Sequence, residues 1–405
     1  MDRNEPKNNV ITRCCCEIRI PKTLRIVILF FTLVLLFIFK AQLGLMQNPF
    51  ANKQKGHGEN DKSFVLEVTH HPSYHYIEHE GEDDNIEFKL DGCNCKRRLQ
   101  HSVKALQKQS TKVKDLQPTN LKIGHVRYNE TTCSQSAFIR GSGQKVIGFS
   151  IYGDINSNQS RAKGYFEGIS ENLSLISIYY PGWLMRLYHD VEKHDLVMKD
   201  LCNLACSNQN LDLCDVHELP GTPMVNATRV FPMDWRWFPT MDPQVDVFAS
   251  RDLDSRLSAR EVAAVNEWLY NSTKPIHAMR DNPWHNIGML GGAWDTDLTK
   301  ETSRKGWRDA WNEMMKDPLI NATRDKNGPD QLLLNRHVWR NNRFGHSQAL
   351  QHDSYFCQRY KGSISWPTKR LLEPNNFVGS VVKQNSTLST KCPIKCRRQK
   401  DWDYC

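Results

Sequence analysis

Two aspartates, Asp252 and Asp254, stand one residue apart directly after an alternating apolar run at residues 245–250. Such a run predicts a buried strand, which would carry both carboxylates to its carboxyl end. Mg²⁺ and Mn²⁺ are hard cations that take oxygen ligands and usually share them with phosphate groups. The pattern therefore predicts a divalent-cation site that faces a diphosphate. The alternative is a charged surface turn without a ligand.

Two arginines, Arg251 and Arg256, flank the aspartates. Guanidinium groups bind phosphate in a bidentate manner, so we assign both arginines, together with Asp252, to the diphosphate-containing ligand. In the surface-turn alternative, the arginines would pair with the aspartates instead. For a third metal ligand we predict His352, although a single histidine is more often structural.

Three other side chains are candidates for general acid–base chemistry. Asp281 and His285 lie in a polar segment at residues 277–285, whose alternative interpretation is an ordinary surface loop. Asp330 stands where a helical pattern begins, so it could instead be the N-cap of that helix. The sequence does not rank the three.

Glycines and aromatic residues surround these groups. Gly291 and Gly292 would let the backbone approach a ligand closely, and Trp294 offers a face for a sugar ring. Residues 233–239 are rich in tryptophan, which indicates either core packing or a stacking surface.

The candidate residues require a scaffold of alternating strands and helices. Residues 146–152 and 175–180 read as strands, residues 161–172 and 183–193 as helices, and residues 195–205 as a strand followed by a helix. Ser258 and Glu261 form a capping-box pattern that starts a helix after the aspartates. This alternation predicts an α/β domain with a mostly parallel sheet, in which ligands bind beyond the carboxyl ends of the strands.

Charge and composition narrow the class of protein. The chain has 405 residues, 39% of them hydrophobic, and a formal net charge of +9. The basic residues are concentrated near the two ends, and no recognition motif accompanies them, so we expect no nucleic-acid binding.

The N-terminus predicts a membrane anchor. An apolar run at residues 26–39, extended to residue 46, reaches the length of a spanning helix, and six basic residues precede it. The positive-inside rule then places residues 1–25 in the cytosol and the remainder in the lumen. The alternative is a cleaved signal peptide.

Sequons and cysteines support a lumenal location. Seven Asn-x-Ser/Thr sequons follow the apolar run, at Asn129, Asn158, Asn172, Asn226, Asn271, Asn321 and Asn385. Ten cysteines also follow it, and an even number in an oxidising compartment predicts up to five disulfides. Zinc bound by Cys93 and Cys95, or by Cys392 and Cys396, is the alternative.

Composition divides the chain into five parts. These are a cytoplasmic tail (1–25), a signal-anchor (26–46), a polar lumenal stem (47–143), a catalytic domain (144–380) and a basic cysteine-containing tail (381–405). We further expect a homodimer formed through the anchor or stem.

The chain resembles glycosyltransferases of the GT-A type, and more narrowly a poorly characterised set of predicted enzymes with the same order of motifs. The motifs are YPGW at 180–183, WRWFP at 235–239, DP at 242–243, RDLDSR at 251–256, RE at 260–261, MRDNPWH at 279–285, GGAW at 291–294 and DQ at 330–331. The order of tail, anchor, stem and domain is similar to that of Golgi type II glycosyltransferases.

The resemblance implies a Rossmann-like GT-A fold and a nucleotide-sugar donor. It also implies Mn²⁺ or Mg²⁺ on Asp254 directly, with Asp252 contacting ribose or a bridging water. The glycan, glycoprotein or glycolipid acceptor would bind near residues 291–294. In an inverting reaction Asp281, His285 or Asp330 would be the base, whereas a retaining reaction would need no base at that place. Two alternatives are a lumenal carbohydrate-binding or receptor-like type II membrane protein without catalysis, and a metal-dependent hydrolase or phosphotransferase.

Overall fold

The computed structural model describes residues 85–90, 92–100, 122–123, 126–155, 157, 164–193, 195–221, 227–322, 328–344 and 348–405. The expected cytoplasmic tail and anchor (1–46) lie outside these residues, as does much of the expected stem. No helix within the described ranges is long and apolar enough to cross a membrane.

Strands β1 (Asn85–Lys89) and β2 (Lys96–Gln100) pair antiparallel, as do β3 (Lys122–Ile123) and β4 (Val126–Arg127). Seven further strands form the central sheet: β5 (Gln144–Ile151), β6 (Leu184–His189), β7 (Leu211–Asp215), β8 (Val245–Arg251), β9 (Ile276–Arg280), β10 (Ala293–Asp297) and β11 (Ala349–Asp353). Their order is β11-β9-β10-β8-β5-β6-β7. Only β10 runs antiparallel to its neighbours among these seven. The prediction of an α/β domain with a mostly parallel sheet is confirmed.

The helices of the described part are α1 (Gln135–Ile139), α2 (Tyr165–Tyr179), α3 (Leu196–Ser207), α4 (Ala259–Asn271), α5 (Glu301–Met314) and α6 (Pro329–Leu334). A π-helix (Asn335–Arg340) continues α6, and 3₁₀ helices occur at Tyr128–Glu130, Ala227–Arg229, Pro232–Met241, Pro318–Asn321, Val382–Gln384 and Ile394–Cys396.

Successive residues of the strands point to opposite faces of the sheet. Val247 and Ala249 belong to the core under α2, α3 and α4, whereas Phe248 belongs to the core under α5 and the Pro232–Met241 helix.

The expected strand at residues 175–180 is wrong, because these residues are the last turns of α2. Ile169, Leu173 and Ile176 are buried at helical spacing, whereas Ile178 is 68% exposed. The alternation of branched residues in this segment suggested a strand, but the packing of its apolar face on the sheet favours a helix.

The expected helix at residues 183–193 is also wrong, because its centre is strand β6. A buried arginine, Arg186, interrupts the apolar pattern of this strand. Its guanidinium donates to Asp242 at 2.8 Å and to Gln144 at 2.9 Å, so the charge is compensated inside the protein.

The strand and helix beside the two aspartates are confirmed. Strand β8 ends at Arg251, and Ser258 caps α4 by accepting a hydrogen bond from the Glu261 backbone N–H at 3.2 Å. The Glu261 carboxylate is bonded to Arg251. At residues 195–205 the helix is α3, with Asp195 as its N-cap, and the expected preceding strand is absent from this range.

Five disulfides confirm the prediction from the cysteine count. The pairs are Cys93–Cys202, Cys95–Cys206, Cys133–Cys214, Cys357–Cys396 and Cys392–Cys405. Each cysteine of the two zinc alternatives forms a disulfide, so the zinc sites are wrong.

The disulfides also join both flanking segments to the domain. Cys93, Cys95 and Cys133 lie in the range expected to be stem, yet they are bonded to α3 and β7. Arg97 adds a buried ion pair with Asp212 at 3.2 Å. Packed structure therefore begins before residue 144.

One sequon cannot carry a glycan in this fold. Asn172 is fully buried, and its amide bonds the backbone of Ser255 and Leu257 at 3.0 and 3.1 Å. Asn129, Asn271, Asn321 and Asn385 are exposed.

Candidate functional site

The two aspartates of the opening motif lie at the carboxyl edge of the sheet. Strand β8 ends at Arg251, and Asp252 follows it. Because β10 is antiparallel to β8, with Ala293 opposite Arg251, the chain enters β10 at the same edge. Gly292 therefore lies beside Asp252.

The two glycines make room for carboxylates. A Cβ on Gly292 would lie 2.0 Å from Oδ2 of Asp252, and a Cβ on Gly291 would lie 2.4 Å from Oδ2 of Asp330. Any larger residue would displace these side chains. The close approach that the sequence predicts is present, but acidic side chains occupy it.

Arg236 forms ion pairs with both carboxylates. Its Nη1 donates to Asp252, and its Nη2 donates to Asp330 at 2.8 Å. The guanidinium is almost completely buried, whereas one third of the Asp252 side chain is exposed. Asp252 is thus anchored at one oxygen and open toward solvent.

Sequence reasoning did not assign Arg236 to the site. It lies in the aromatic Pro232–Met241 helix, which packs on the sheet. An arginine between two tryptophans that become buried needs carboxylate partners. The sequence Trp235-Arg236-Trp237 was therefore the feature that could have assigned Arg236 to an acidic cluster.

Asp254 and Tyr165 interact electrostatically within the same cluster. Burial, followed by the charge of Asp254, raises the pKa of the Tyr165 hydroxyl well above its usual value, and Asp252 adds to this effect. The phenol therefore lies within electrostatic range of both aspartates. The Asp254 carbonyl accepts a hydrogen bond from Val382 at 3.0 Å, so the C-terminal segment borders the site.

Asp330 is a buried carboxylate whose pKa is raised. It is in the first turn of α6, while Gly328 takes the N-cap position. Burial raises its pKa, the nearby Arg236 lowers it, and the charge of Asp252 raises it further, with a net increase.

Asp234 lies on the buried side of the same cluster. Neither of its carboxylate oxygens has a hydrogen-bond partner among the described residues. Burial raises its pKa well above the usual value, and the charge of Asp330 raises it further.

His285 lies at the border of the site and is held neutral. Burial lowers its pKa to about 4. Its Nδ1 accepts a hydrogen bond from the Asp281 backbone N–H at 3.1 Å, so the ring proton of the neutral form is on Nε2. In this tautomer the Nε2–H of His285 is a hydrogen-bond donor.

Asp281 is enclosed by cations and donors. Its carboxylate accepts hydrogen bonds from Arg260 at 2.7 and 2.8 Å, from Arg370 and Ser354 at 2.6 Å each, and from the Val378 backbone at 3.0 Å. Burial alone would raise its pKa, but Arg260 and Arg370 hold it far below its usual range. This carboxylate is a structural anion and a poor base.

We expect Asp281→Asn to lower the free energy of unfolding by about 3–5 kcal/mol, because it leaves two buried arginines without their anion. The native pKa is depressed, so the stabilisation is present above the unfolded pKa of about 4 and is lost as pH falls through the native pKa. Denaturant unfolding of the full-length protein from pH 7 downward would measure both effects, and the two proteins should converge in acid.

Asp309→Asn is the matched control, because Asp309 pairs with Lys305 on the surface, and no measurable change is expected from it. Equal stability of Asp281→Asn and the unsubstituted protein at pH 7 would contradict the structural role.

The two predicted phosphate arginines point elsewhere. Arg251 is buried between Glu261 and Asp295, both at 2.7 Å. Arg256 bonds Glu171 and the backbone carbonyl of Leu253. In this structure, both are engaged in holding α2 and α4 against the sheet.

Trp294 and His352 lie in the interior. Trp294 stacks on Trp307, with ring centroids 4.7 Å apart, in the core under α5. His352 is bonded to His277 at 2.8 Å and to Glu267 at 3.0 Å. The structure brings neither to Asp252 and Asp254 through any described contact.

The described residues contain no cluster of three or more His, Cys, Asp or Glu side chains that could hold a metal ion. An open recess of about 530 Å³ lies elsewhere, against α5. Its charged residues pair with one another, as in Lys305–Asp309 and Arg343–Glu313, so we assign it no ligand.

No protein-family model matches the chain, and no curated protein matches it. Among solved structures, the chain is similar to a glycosyltransferase involved in the glycosylation of the major capsid of PBCV-1, with a TM-score of 0.27 and 11% identity. The match covers 54% of this chain and 90% of that chain.

Proposed function

We propose that this chain is a metal-dependent glycosyltransferase with a GT-A-like domain, which moves a sugar from a nucleotide-sugar donor to a glycan, glycoprotein or glycolipid acceptor. The observation that carries the proposal is the placement of Asp252 and Asp254 at the carboxyl edge of a mostly parallel sheet. There, Arg236 links Asp252 to a further carboxylate, Asp330, whose pKa is raised by burial.

The donor set fits a hard divalent cation that is shared with a substrate. Mg²⁺ is usually held by one or two carboxylates together with substrate phosphates. Asp252 and Asp254 supply two carboxylates at an accessible strand end, so the diphosphate of the donor would supply the remaining oxygens. Mn²⁺ or Mg²⁺ bound there would offset the charge that develops on the leaving diphosphate.

The residues of the chain then have distinct roles. Arg236 fixes the Asp252 and Asp330 carboxylates relative to each other. Asp330 accepts the proton of the acceptor hydroxyl, since its raised pKa makes it a stronger base than the enclosed Asp281. His285 donates a hydrogen bond from Nε2 to a substrate oxygen.

The proposed location is the lumen of the secretory pathway, with residues 26–46 as a type II anchor in the Golgi or endoplasmic reticulum membrane. Five disulfides favour an oxidising compartment.

We expect a nucleotide sugar and Mn²⁺ or Mg²⁺ together to raise the melting temperature of the full-length protein by several degrees, because a ligand at 100 times its Kd stabilises by about 2.7 kcal/mol. Thermal melting with UDP-, GDP- and CMP-sugars, with metal and with EDTA, would measure this. Stabilisation by a glycan alone, with no response to any donor, would support the carbohydrate-binding alternative and contradict the transferase.

A further inference from the structure

Trp284 is the only exposed tryptophan of the protein. The chain has eleven tryptophans, all within the described residues. Ten are buried or half-buried, whereas Trp284 is 90% exposed. An indole is one of the largest apolar surfaces a protein can bury, so its complete exposure at one position needs a reason.

The loop that presents Trp284 is held in place. The Asn282 side chain accepts a hydrogen bond from the Trp284 backbone at 2.9 Å, and the Asn282 carbonyl accepts one from His285 at 2.9 Å. The loop begins at Asp281, which Arg260 and Arg370 fix. Local hydrogen bonds therefore fix the turn from which the exposed indole projects.

Trp284 lies in the loop at the carboxyl end of β9, near the candidate site. The loop follows β9, and only β10 separates β9 from β8. Neighbouring strands are about 4.8 Å apart, so the ends of β9 and β8 are roughly 10 Å apart. The charge of Asp252 also acts on His285, the residue after Trp284. This span suits a short glycan.

We propose that Trp284 is the platform on which a pyranose ring of the acceptor glycan stacks, with the reacting hydroxyl directed toward Asp330. The inference rests on the proposed transferase function. The apolar C–H face of a sugar matches the indole face, and polar groups that can bond its hydroxyls follow Trp284 directly in the chain. His285 Nε2–H is one, and Asn286, bonded to Arg359 at 2.6 Å, is another.

A lipid surface would use a different set of residues. Leu371 and Leu372 are 64% and 55% exposed, and they directly follow Arg370, which is bonded to Asp281. Insertion into a membrane would involve these leucines as well as the indole, whereas stacking on a sugar depends on the aromatic ring alone.

The test is binding of the full-length protein to an array of immobilised oligosaccharides ending in galactose, N-acetylglucosamine, glucose, mannose or fucose. We expect at least one glycan to bind and Trp284→Ala to weaken its binding tenfold or more. Trp284→Phe should retain more of the affinity than Trp284→Leu, because only phenylalanine keeps a ring face. The same glycan, used as acceptor, should show a raised KM in Trp284→Ala.

The matched control is Tyr270→Ala. Tyr270 is 67% exposed, but it lies at the far end of α4, which begins at the site and runs toward the opposite edge of the sheet. Its removal should leave glycan binding unchanged. Metal-dependent stabilisation by the donor should persist in Trp284→Ala, which separates failure of this inference from failure of the transferase.

Three outcomes would overturn the inference. They are no glycan binding by the unsubstituted protein, equal binding by Trp284→Ala, and equal binding by the leucine and phenylalanine variants. Binding to vesicles of phosphatidylcholine and phosphatidylserine that is lost in both Trp284→Ala and the double variant Leu371→Ser/Leu372→Ser, without glycan binding, would assign the surface to lipid instead.

Discussion

Asp254→Asn is expected to lower transferase turnover by about 10²–10³, the effect of losing one electrostatic contact to developing charge in a transition state. The amide keeps the shape of the side chain but removes the charge that attracts a divalent cation. Because the loss acts through the metal, the concentration of Mn²⁺ or Mg²⁺ needed for half-maximal activity should rise as well. Initial rates across a metal titration would measure both changes.

The control is Asp246→Asn, on the same strand. Asp246 lies near the opposite end of β8, where it pairs with Arg304 at 3.3 Å. This variant should retain its metal response and its turnover. An Asp254→Asn protein that melts normally and keeps both turnover and metal response would remove the proposed metal role.

Asp252→Asn should affect both metal binding and the environment of Asp330, whereas Asp254→Asn should affect metal binding alone. Asp252 is also a partner of Arg236, so its neutralisation leaves Asp330 as the single anion bonded to that guanidinium. Asp252→Asn therefore tests whether Arg236 couples the two proposed metal ligands, Asp252 and Asp254, to the proposed base, Asp330.

The local part of the site could be predicted from sequence. Strand β8, the two aspartates after it and the Ser258 cap of α4 occupy one short stretch, and apolar alternation and capping are properties of neighbouring residues. These elements place Asp252 and Asp254 at a strand end without reference to the remainder of the chain.

The partners of the aspartates could not be predicted in the same way. The antiparallel register of β10 brings Gly292 against Asp252, and Arg236 reaches the site from a helix that crosses the sheet. Both contacts depend on how distant segments pack, which periodicity does not encode.

Some residues that the sequence assigned to the site have a structural role in the fold, and each of them is a buried charge. Arg251 and Asp281 are charged residues within sequence motifs, and a motif does not indicate whether a residue is buried. In the fold, each is enclosed by opposite charges, as a buried charge must be. Exposure separates them from Asp252, whose side chain is one third exposed. Asp330 is also buried, but its pKa is raised, whereas that of Asp281 is lowered.

Asp330→Asn is expected to lower kcat by about 10²–10⁴, the contribution of a general base, while metal-dependent stabilisation by the donor persists. Burial raises the Asp330 pKa, and a base works only when deprotonated. The rate of the unsubstituted enzyme should therefore rise with pH through this raised pKa, and the residual activity of Asp330→Asn should lack that rise. His285→Asn is the comparison, because the His285 pKa is about 4. An acid limb near pH 4 that disappears in His285→Asn but survives in Asp330→Asn would transfer the role of base to the histidine.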